Sequence, residues 1–185
     1  MGGRGARSGT SKNGKKLDPS HAAAVSNPHY NDGVEYQVNC QRCVYAFEAN
    51  MRYHGQYEAM PNPNPYGYDK YAYGGWKTAM EGQVVNSVGS TSRKKVERNI
   101  DGLASSWGDG SRGIVRVQWK HGNCGHVFNF VRSNGKTLYF DAQTGRSVDL
   151  QEYLASAKPS KTLISRTDNL EFKPGVEKDL FRRVK

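Results

Sequence analysis

The sequence of 185 residues lacks the features that would place it in several large protein classes. No apolar run reaches the roughly 18 residues of a transmembrane helix, so no membrane span is expected. The basic N-terminus has no apolar segment of the kind found in a secretory signal peptide, so any export is expected to follow a non-classical route. Neither an internal repeat nor a nucleic-acid-binding signature is present.

Cysteine is also scarce, and the three in the chain are Cys40, Cys43 and Cys124. An odd number without regular spacing argues against a disulfide framework. The cysteines are therefore expected to be catalytic, metal-binding or incidental.

The net charge of +10 is distributed unevenly. Residues 1–16 contain five basic residues and no acidic residue in a Gly/Ser-rich sequence. We predict a disordered basic tail over residues 1–26, one folded domain over residues 27–168 and a charged tail over residues 169–185. The basic tail could contact nucleic acid, but a solvated tail is the favoured interpretation.

The clearest regular element is a helix that begins beside Asn39. Cys40, Val44, Phe47 and Met51 recur at helical spacing, and Asn39 is a suitable N-cap. A helix that precedes a series of strands indicates an α+β fold rather than an alternating parallel sheet. The other predicted elements are an aromatic loop over 56–75, helices beginning near Trp76 and covering 94–104 and 148–157, and strands over 113–119 and, at a sheet edge, 163–167.

A β-hairpin is predicted where Asn134-Gly135 joins two strand-like segments, because this dipeptide is a strong signal for a two-residue turn. Counting outward from that turn, His126 faces Gln143, and Asp141 lies on the diagonal. Strand side chains alternate between faces, so these three residues are expected to share one face. A loop shifted to residues 133–134 would instead set His126 directly opposite Asp141.

These positions suggest a nucleophilic site. A cysteine at a helix start lies near unpaired backbone N–H groups and the positive end of the helix dipole, which favour a thiolate. Cys40 could pair with His126, and Asp141 would hold the imidazole in the required tautomer. Cysteine and histidine on apolar stripes are also common core residues, so spacing alone leaves catalysis and coincidental packing equally open.

Zinc binding is an alternative. Cys40 and Cys43, together with His121, Cys124 and His126, would supply five suitable ligands. The two groups are much farther apart in the sequence than the ligands of compact zinc modules. A site without metal or cofactor is therefore favoured.

Several short motifs follow one another along the chain: Asn39-Cys40, Gly55, Ala59-Met60-Pro61, Gly125-His126 and Asp141-Ala142-Gln143-Thr144-Gly145. In this order and spacing they resemble the papain-fold toxin domain of the glutamine deamidase type, which occurs in bacterial polymorphic toxins and phage-associated proteins. The resemblance covers roughly residues 27–155.

This resemblance implies a papain-like cysteine-hydrolase fold with an N-terminal catalytic helix packed on an antiparallel sheet. It implies that Cys40 is the nucleophile, His126 the general base and acid, and Asp141 the orienting carboxylate. Cys43 is an alternative nucleophile, because CQRCVYAF also resembles papain-like proteases in which the second cysteine reacts. The residues implied to support the site or the oxyanion are Gln143, Asn39 and Gln37.

By the same resemblance, the expected function is deamidation of glutamine side chains in a protein target by an effector or toxin, with an immunity protein as a further partner. The chain would be encoded by a phage or a bacterium, and would act in the cytoplasm or after delivery into a target cell. Papain-like proteolysis and transglutamination share the same chemical steps and stay open. A non-catalytic phage structural or interaction module on this fold is a further alternative.

Overall fold

A computed structural model describes residues 18–53, 55–71 and 74–184. The helices are α1 (Pro19–Ser26), α2 (Val34–Gln37), α3 (Cys40–Arg52), α4 (Arg93–Trp107), α5 (Leu150–Ser156) and α6 (Glu177–Leu180). The strands are β1 (Tyr57–Ala59), β2 (Asn86–Ser87), β3 (Arg112–Gln118), β4 (Gly125–Ser133), β5 (Lys136–Asp141), β6 (Arg146–Ser147), β7 (Leu163–Arg166) and β8 (Phe181–Arg183). No helix in this described part is both long and apolar enough to cross a membrane.

An antiparallel sheet of six strands, in the order β2-β7-β3-β4-β5-β6, forms the centre of the fold. Side chains alternate along its strands, so each face has its own apolar cluster. Ile114 and Phe140 pack with α3 on one face, whereas Val115 and Phe128 pack with α4 and α5 on the other. The predicted α+β class, with the cysteine-bearing helix packed on an antiparallel sheet, is confirmed.

Helix α3 is enclosed on nearly all sides. Every residue from Arg42 to Met51 is buried. Phe47 stacks on Phe140 of β5, with ring centroids 6.0 Å apart. The Asn129 side chain of β4 donates a hydrogen bond to the Val44 carbonyl at 3.1 Å. These contacts fix the helix against the strands that carry His126 and Asp141.

A buried ion cluster adds a second attachment for α3. The Glu48 carboxylate accepts from Arg52 one turn later and from Arg112 of β3, with Oε1 2.8 Å from a guanidinium nitrogen of each. The Thr167 hydroxyl donates to its other oxygen at 3.2 Å. Burial alone would raise the pKa of Glu48, but the two guanidinium groups outweigh it and lower the pKa to about 2.

The predicted N-terminal tail is too long. Residues 19–26 form α1, in which Ala22 and Ala23 are fully buried. Asp18 caps this helix by accepting from the Ser20 N–H, and Pro19 is well suited to a first turn. The charged residues before it obscured this local signal. The basic segment over 1–17, and with it the nucleic-acid alternative, lies outside the described residues.

The predicted C-terminal tail over 169–185 also requires correction. Strand β8 pairs with β1, which lies within the predicted aromatic loop, and Leu180 and Phe181 are buried. The strand predicted at a sheet edge, β7, lies between β2 and β3. Near Trp76 only a short 3-10 turn forms, over Gly75–Lys77. These elements depend on partners distant in sequence, which periodicity does not detect.

Candidate active site

The hairpin of β4 and β5 sets a histidine beside an aspartate. Ser133 pairs with Lys136 across the Asn134-Gly135 turn, whose residues have φ of 51° and 72°. Positive φ at both turn positions is what a type I′ turn requires. The predicted hairpin register is therefore confirmed, and the alternative loop one residue earlier is not formed. His126 Nε2 lies 2.8 Å from Asp141 Oδ2.

The prediction that Gln143 faces His126 directly across the hairpin is wrong. The pairing between β4 and β5 ends at Asn129 and Phe140, and Gln143 lies in the turn after β5. The backbone N–H of Gln143 donates to Asp141 Oδ1 at 2.9 Å. A hydrogen bond in which an aspartate side chain accepts from the backbone N–H two residues later is typical of a turn, and here it ends the strand.

The Asp141 carboxylate receives three hydrogen bonds in a buried position. Its Oδ2 is shared by His126 and by the Tyr153 hydroxyl, which donates at 2.7 Å, while its Oδ1 accepts from the Gln143 backbone. Burial alone would raise the pKa of Asp141, but the contact with His126 and the other two donors lower it. Asp141 is thus held as a carboxylate.

His126 is enclosed by rings but keeps part of its surface exposed, 11% of the side chain. The Trp119 indole stacks on the imidazole, with centroids 5.9 Å apart and planes at 16°, and Tyr153 packs at 6.0 Å. Burial would lower the pKa of His126, but hydrogen bonds and charge interactions with Asp141 and Cys40 raise it to about 10. The imidazole is therefore protonated near neutral pH.

Cys40 is the first residue of α3, is only partly buried, and interacts with His126 strongly enough to help raise the pKa of the imidazole. Since Nε2 of His126 faces Asp141, Nδ1 is the ring nitrogen left for the thiol. Cys43 is fully buried, and its thiol donates to Asn39 Oδ1 at 3.1 Å. Burial, with nearby negative charge, raises the pKa of the Cys43 thiol well above its ordinary value. This geometry favours Cys40 over Cys43 as a nucleophile.

An amide network connects the start of α3 to the turn after β5. The Asn39 carboxamide donates to Asn27 Oδ1 at 3.3 Å and to the Met60 carbonyl at 3.2 Å. Its oxygen accepts from Gln143 Nε2 at 3.3 Å, and Asn27 donates to the Gln143 carbonyl at 2.9 Å. Both side-chain N–H groups of Asn39 are therefore engaged, and its supporting or oxyanion role stays a prediction.

The amide of Gln37, which the resemblance implies for the oxyanion, has another partner here. Gln37 ends α2 with an exposed side chain, and its Nε2 donates to the Tyr30 carbonyl at 3.2 Å. Its oxyanion role stays a prediction.

The ligands considered for zinc are not grouped. In the stretches 18–53, 55–71 and 74–184, no three His, Cys, Asp or Glu side chains are placed to hold a metal ion together. Cys124 is exposed, whereas Cys43 is fully buried.

Two site residues were missed by the sequence analysis. Tyr153 fits the apolar stripe of α5 and therefore looked like a packing residue, and Trp119 looked like the end of a strand. The one signal in the sequence was the Tyr153 hydroxyl itself, because a hydroxyl on an otherwise apolar helix face needs a buried hydrogen-bond acceptor. Only the fold shows that this acceptor is Asp141.

Comparison with known proteins gives one family match. The family described as papain fold toxin 1, glutamine deamidase, matches residues 38–146, a range that contains Cys40, His126 and Asp141. Among solved structures, the Salmonella effector SpvD in its G161 variant is similar with a TM-score of 0.47 and 17% identity, covering 78% of this chain and 79% of that chain. No curated protein matches the chain by sequence.

Proposed function

The chain belongs to the papain-fold toxin family described as glutamine deamidase, and we propose that it hydrolyses the carboxamide of glutamine side chains in a target protein. Cys40 is the nucleophile, His126 the proton carrier and Asp141 the orienting carboxylate. The observation that carries this proposal is the His126–Asp141 pair, with Nε2 2.8 Å from the buried carboxylate, together with the partly buried Cys40 at the start of α3, which helps raise the pKa of the imidazole.

In the first half of the reaction, the Cys40 thiolate attacks the carboxamide carbon and forms a tetrahedral intermediate. Backbone N–H groups at the start of α3 are suited to stabilise its oxyanion, with the helix dipole directed the same way. Protonated His126 gives its proton to the departing nitrogen, so ammonia leaves and a thioester remains.

In the second half, neutral His126 takes a proton from water, and the hydroxide attacks the thioester carbon. The products are glutamate and the Cys40 thiolate, paired again with the imidazolium. The hydrogen bond that His126 donates to Asp141 keeps the ring oriented in both halves and stabilises its charged form.

The test is mass spectrometry of a cell extract treated with wild-type protein or with Cys40→Ala. We expect a Gln-to-Glu change of about +1 Da on specific peptides with the wild type only. Cys43→Ala is the matched control, because it removes a neighbouring thiol while leaving Cys40. Equal loss in both variants would contradict Cys40 as the nucleophile. New peptide termini would indicate proteolysis, and crosslinked peptides would indicate transglutamination.

The toxin role extends this proposal to the cell. Expression of the wild type is expected to harm the cells in which its target occurs, whereas Cys40→Ala and His126→Ala are expected to be harmless. An immunity protein, if one accompanies the toxin, would restore growth without changing its expression level. Harm that survives both substitutions would contradict the catalytic origin of toxicity.

A further inference from the structure

Three large apolar side chains are exposed on segments that are attached to the start of α3. Val38, Tyr66 and Tyr68 have 42%, 86% and 73% of their surfaces exposed. They belong to a short set of large hydrophobic residues exposed in the described chain, whose other members are Val84, Leu138 and Val184. Tyr66 and Tyr68 lie on one loop, over residues 63–68, which we call the tyrosine arch.

The near end of the arch is attached to the segment that precedes Cys40. The backbone N–H of Asn62 donates to the Glu35 carbonyl at 2.9 Å, and its side chain donates to the Val38 carbonyl at 3.3 Å. The same side chain also accepts from the Asn64 backbone at 3.0 Å. The chain therefore enters the arch from a position fixed beside the nucleophile.

The far end is attached to the first turn of α3. Asp69 forms a buried two-point ion pair with Arg42, with distances of 2.7 and 3.0 Å. The side-chain oxygen of Gln41 accepts from the backbone of Trp76 at 2.9 Å. Within the arch, Asn64 donates to the Tyr68 carbonyl at 2.9 Å. Both ends are thus attached to residues 35–42, on either side of Cys40.

From this placement we infer that the tyrosine arch, with Val38, is the surface that binds the polypeptide around the target glutamine. This inference rests on the proposed function and specifies its substrate class as glutamine within a polypeptide that has apolar side chains near the reacting residue. Tyrosine supplies a large contact area with little side-chain entropy to lose, and a pre-ordered loop lowers that loss further. The attachment of the two ends of the arch to residues on either side of Cys40 favours the substrate as its occupant.

The test compares two substrates in the full chain: an N-blocked glutaminyl-glycine dipeptide and the proteins of a cell extract. The variant is Tyr66→Ser with Tyr68→Ser. We expect the rate of deamidation of extract proteins to fall at least tenfold, while kcat/KM for the dipeptide stays within about twofold. Tyr66→Phe with Tyr68→Phe keeps both rings and should retain most protein deamidation. Val84→Ser, on an exposed residue outside this surface, is the control and should change neither rate.

Parallel loss on both substrates would overturn the inference, because the arch would then support catalytic geometry rather than binding. Unchanged deamidation of extract proteins by the Tyr66→Ser, Tyr68→Ser variant would also overturn it. So would a wild-type protein that deamidates the dipeptide but not the extract proteins. A different result marks failure of the proposed function: the wild type would then match Cys40→Ala on both substrates.

Discussion

At the scale of single residues, the site depends on how one carboxylate is shared. Asp141 Oδ2 accepts from both His126 and Tyr153, so each donor limits how much negative charge the other receives. Tyr153 is a positioning residue in this arrangement, since it contacts the carboxylate and packs against the imidazole at 6.0 Å.

Tyr153→Phe tests that role while keeping the ring. Hydrogen bonds to charged groups contribute roughly 1.5–3 kcal/mol, so we expect kcat/KM for a glutamine dipeptide to fall about tenfold or more. Without the hydroxyl, Asp141 concentrates its charge on His126, so the alkaline limb of the pH profile should move upward. A fall in rate with an unmoved limb would indicate a packing role only. Tyr139→Phe removes a buried hydroxyl that has no hydrogen-bond partner among the residues the structure describes, and is the control.

The pKa of His126 leads to a second prediction at this scale. Because that pKa is raised to about 10, the imidazolium that gives its proton to the departing nitrogen in the proposed reaction is present through neutral pH and is lost as pH rises toward 10. We therefore expect kcat/KM to decline as pH rises through about 10. The same pairing stabilises the fold below the ordinary histidine pKa of about 6.5, and this contribution disappears as pH approaches 10. A decline of kcat/KM already near pH 7 would contradict the raised pKa of His126 and its ion pair with Asp141.

At the scale of elements, α3 is positioned by two different kinds of contact. Its apolar side packs on the sheet, and Glu48 ties it to Arg112 of β3. The apolar spacing predicted the helix, because it is a local signal. Asn39 lies at the predicted cap position, but its side chain makes no capping hydrogen bond and bonds to Asn27, Met60 and Gln143 instead. The apolar spacing could not predict the ion cluster, because Glu48 and Arg112 are separated by 64 residues.

Glu48→Gln should destabilise the protein strongly near neutral pH. The change removes the buried carboxylate that the guanidinium groups of Arg52 and Arg112 share, and removing one partner of a buried ion pair costs about 3–5 kcal/mol. Chemical denaturation with urea measures this loss, and Glu81→Gln on an exposed residue is the control.

In the wild type, the folded-state pKa of Glu48, about 2, lies below the ordinary value of 4.5. The contribution of Glu48 is therefore present above pH 4.5 and fades as pH falls toward 2. Equal stability of the two variants would contradict this role.

The hairpin shows how far local signals extend. Asn134-Gly135 predicted the turn and the register, and hence the proximity of His126 and Asp141. The same extrapolation failed at Gln143, two residues beyond the strand end. There the Asp141 side chain accepts from the Gln143 backbone N–H, and the chain turns away from the strand. Counting outward from a turn therefore predicts which residues pair only as far as both strands extend.

At the scale of the whole molecule, both ends of the described chain complete the fold. Helix α1 contacts α3 and β1 and contributes Ala22 and Ala23 to the core. Strand β8 closes the other end by pairing with β1, and the Asp179 carbonyl accepts from Arg42 at 3.2 Å. The proposed site and the tyrosine arch are thus supported by segments that the sequence analysis assigned to tails. Their charged composition is typical of tails, and only long-range pairing distinguishes them.

Leu180→Ala tests this closure. Leu180 is fully buried in the apolar cluster that contains α3, and replacing such a leucine by alanine typically costs about 2–5 kcal/mol, since it leaves a cavity. Lys178→Ala, two residues earlier on the exposed side of α6, is the matched control and should change stability by no more than about 0.5 kcal/mol. Urea denaturation of both variants separates these effects.

Replacing Leu180 should also lower deamidation of extract proteins and of the dipeptide together, because Arg42 and the start of α3 lose support. Wild-type stability in Leu180→Ala would mean that residues 177–183 pack too loosely to act on the site.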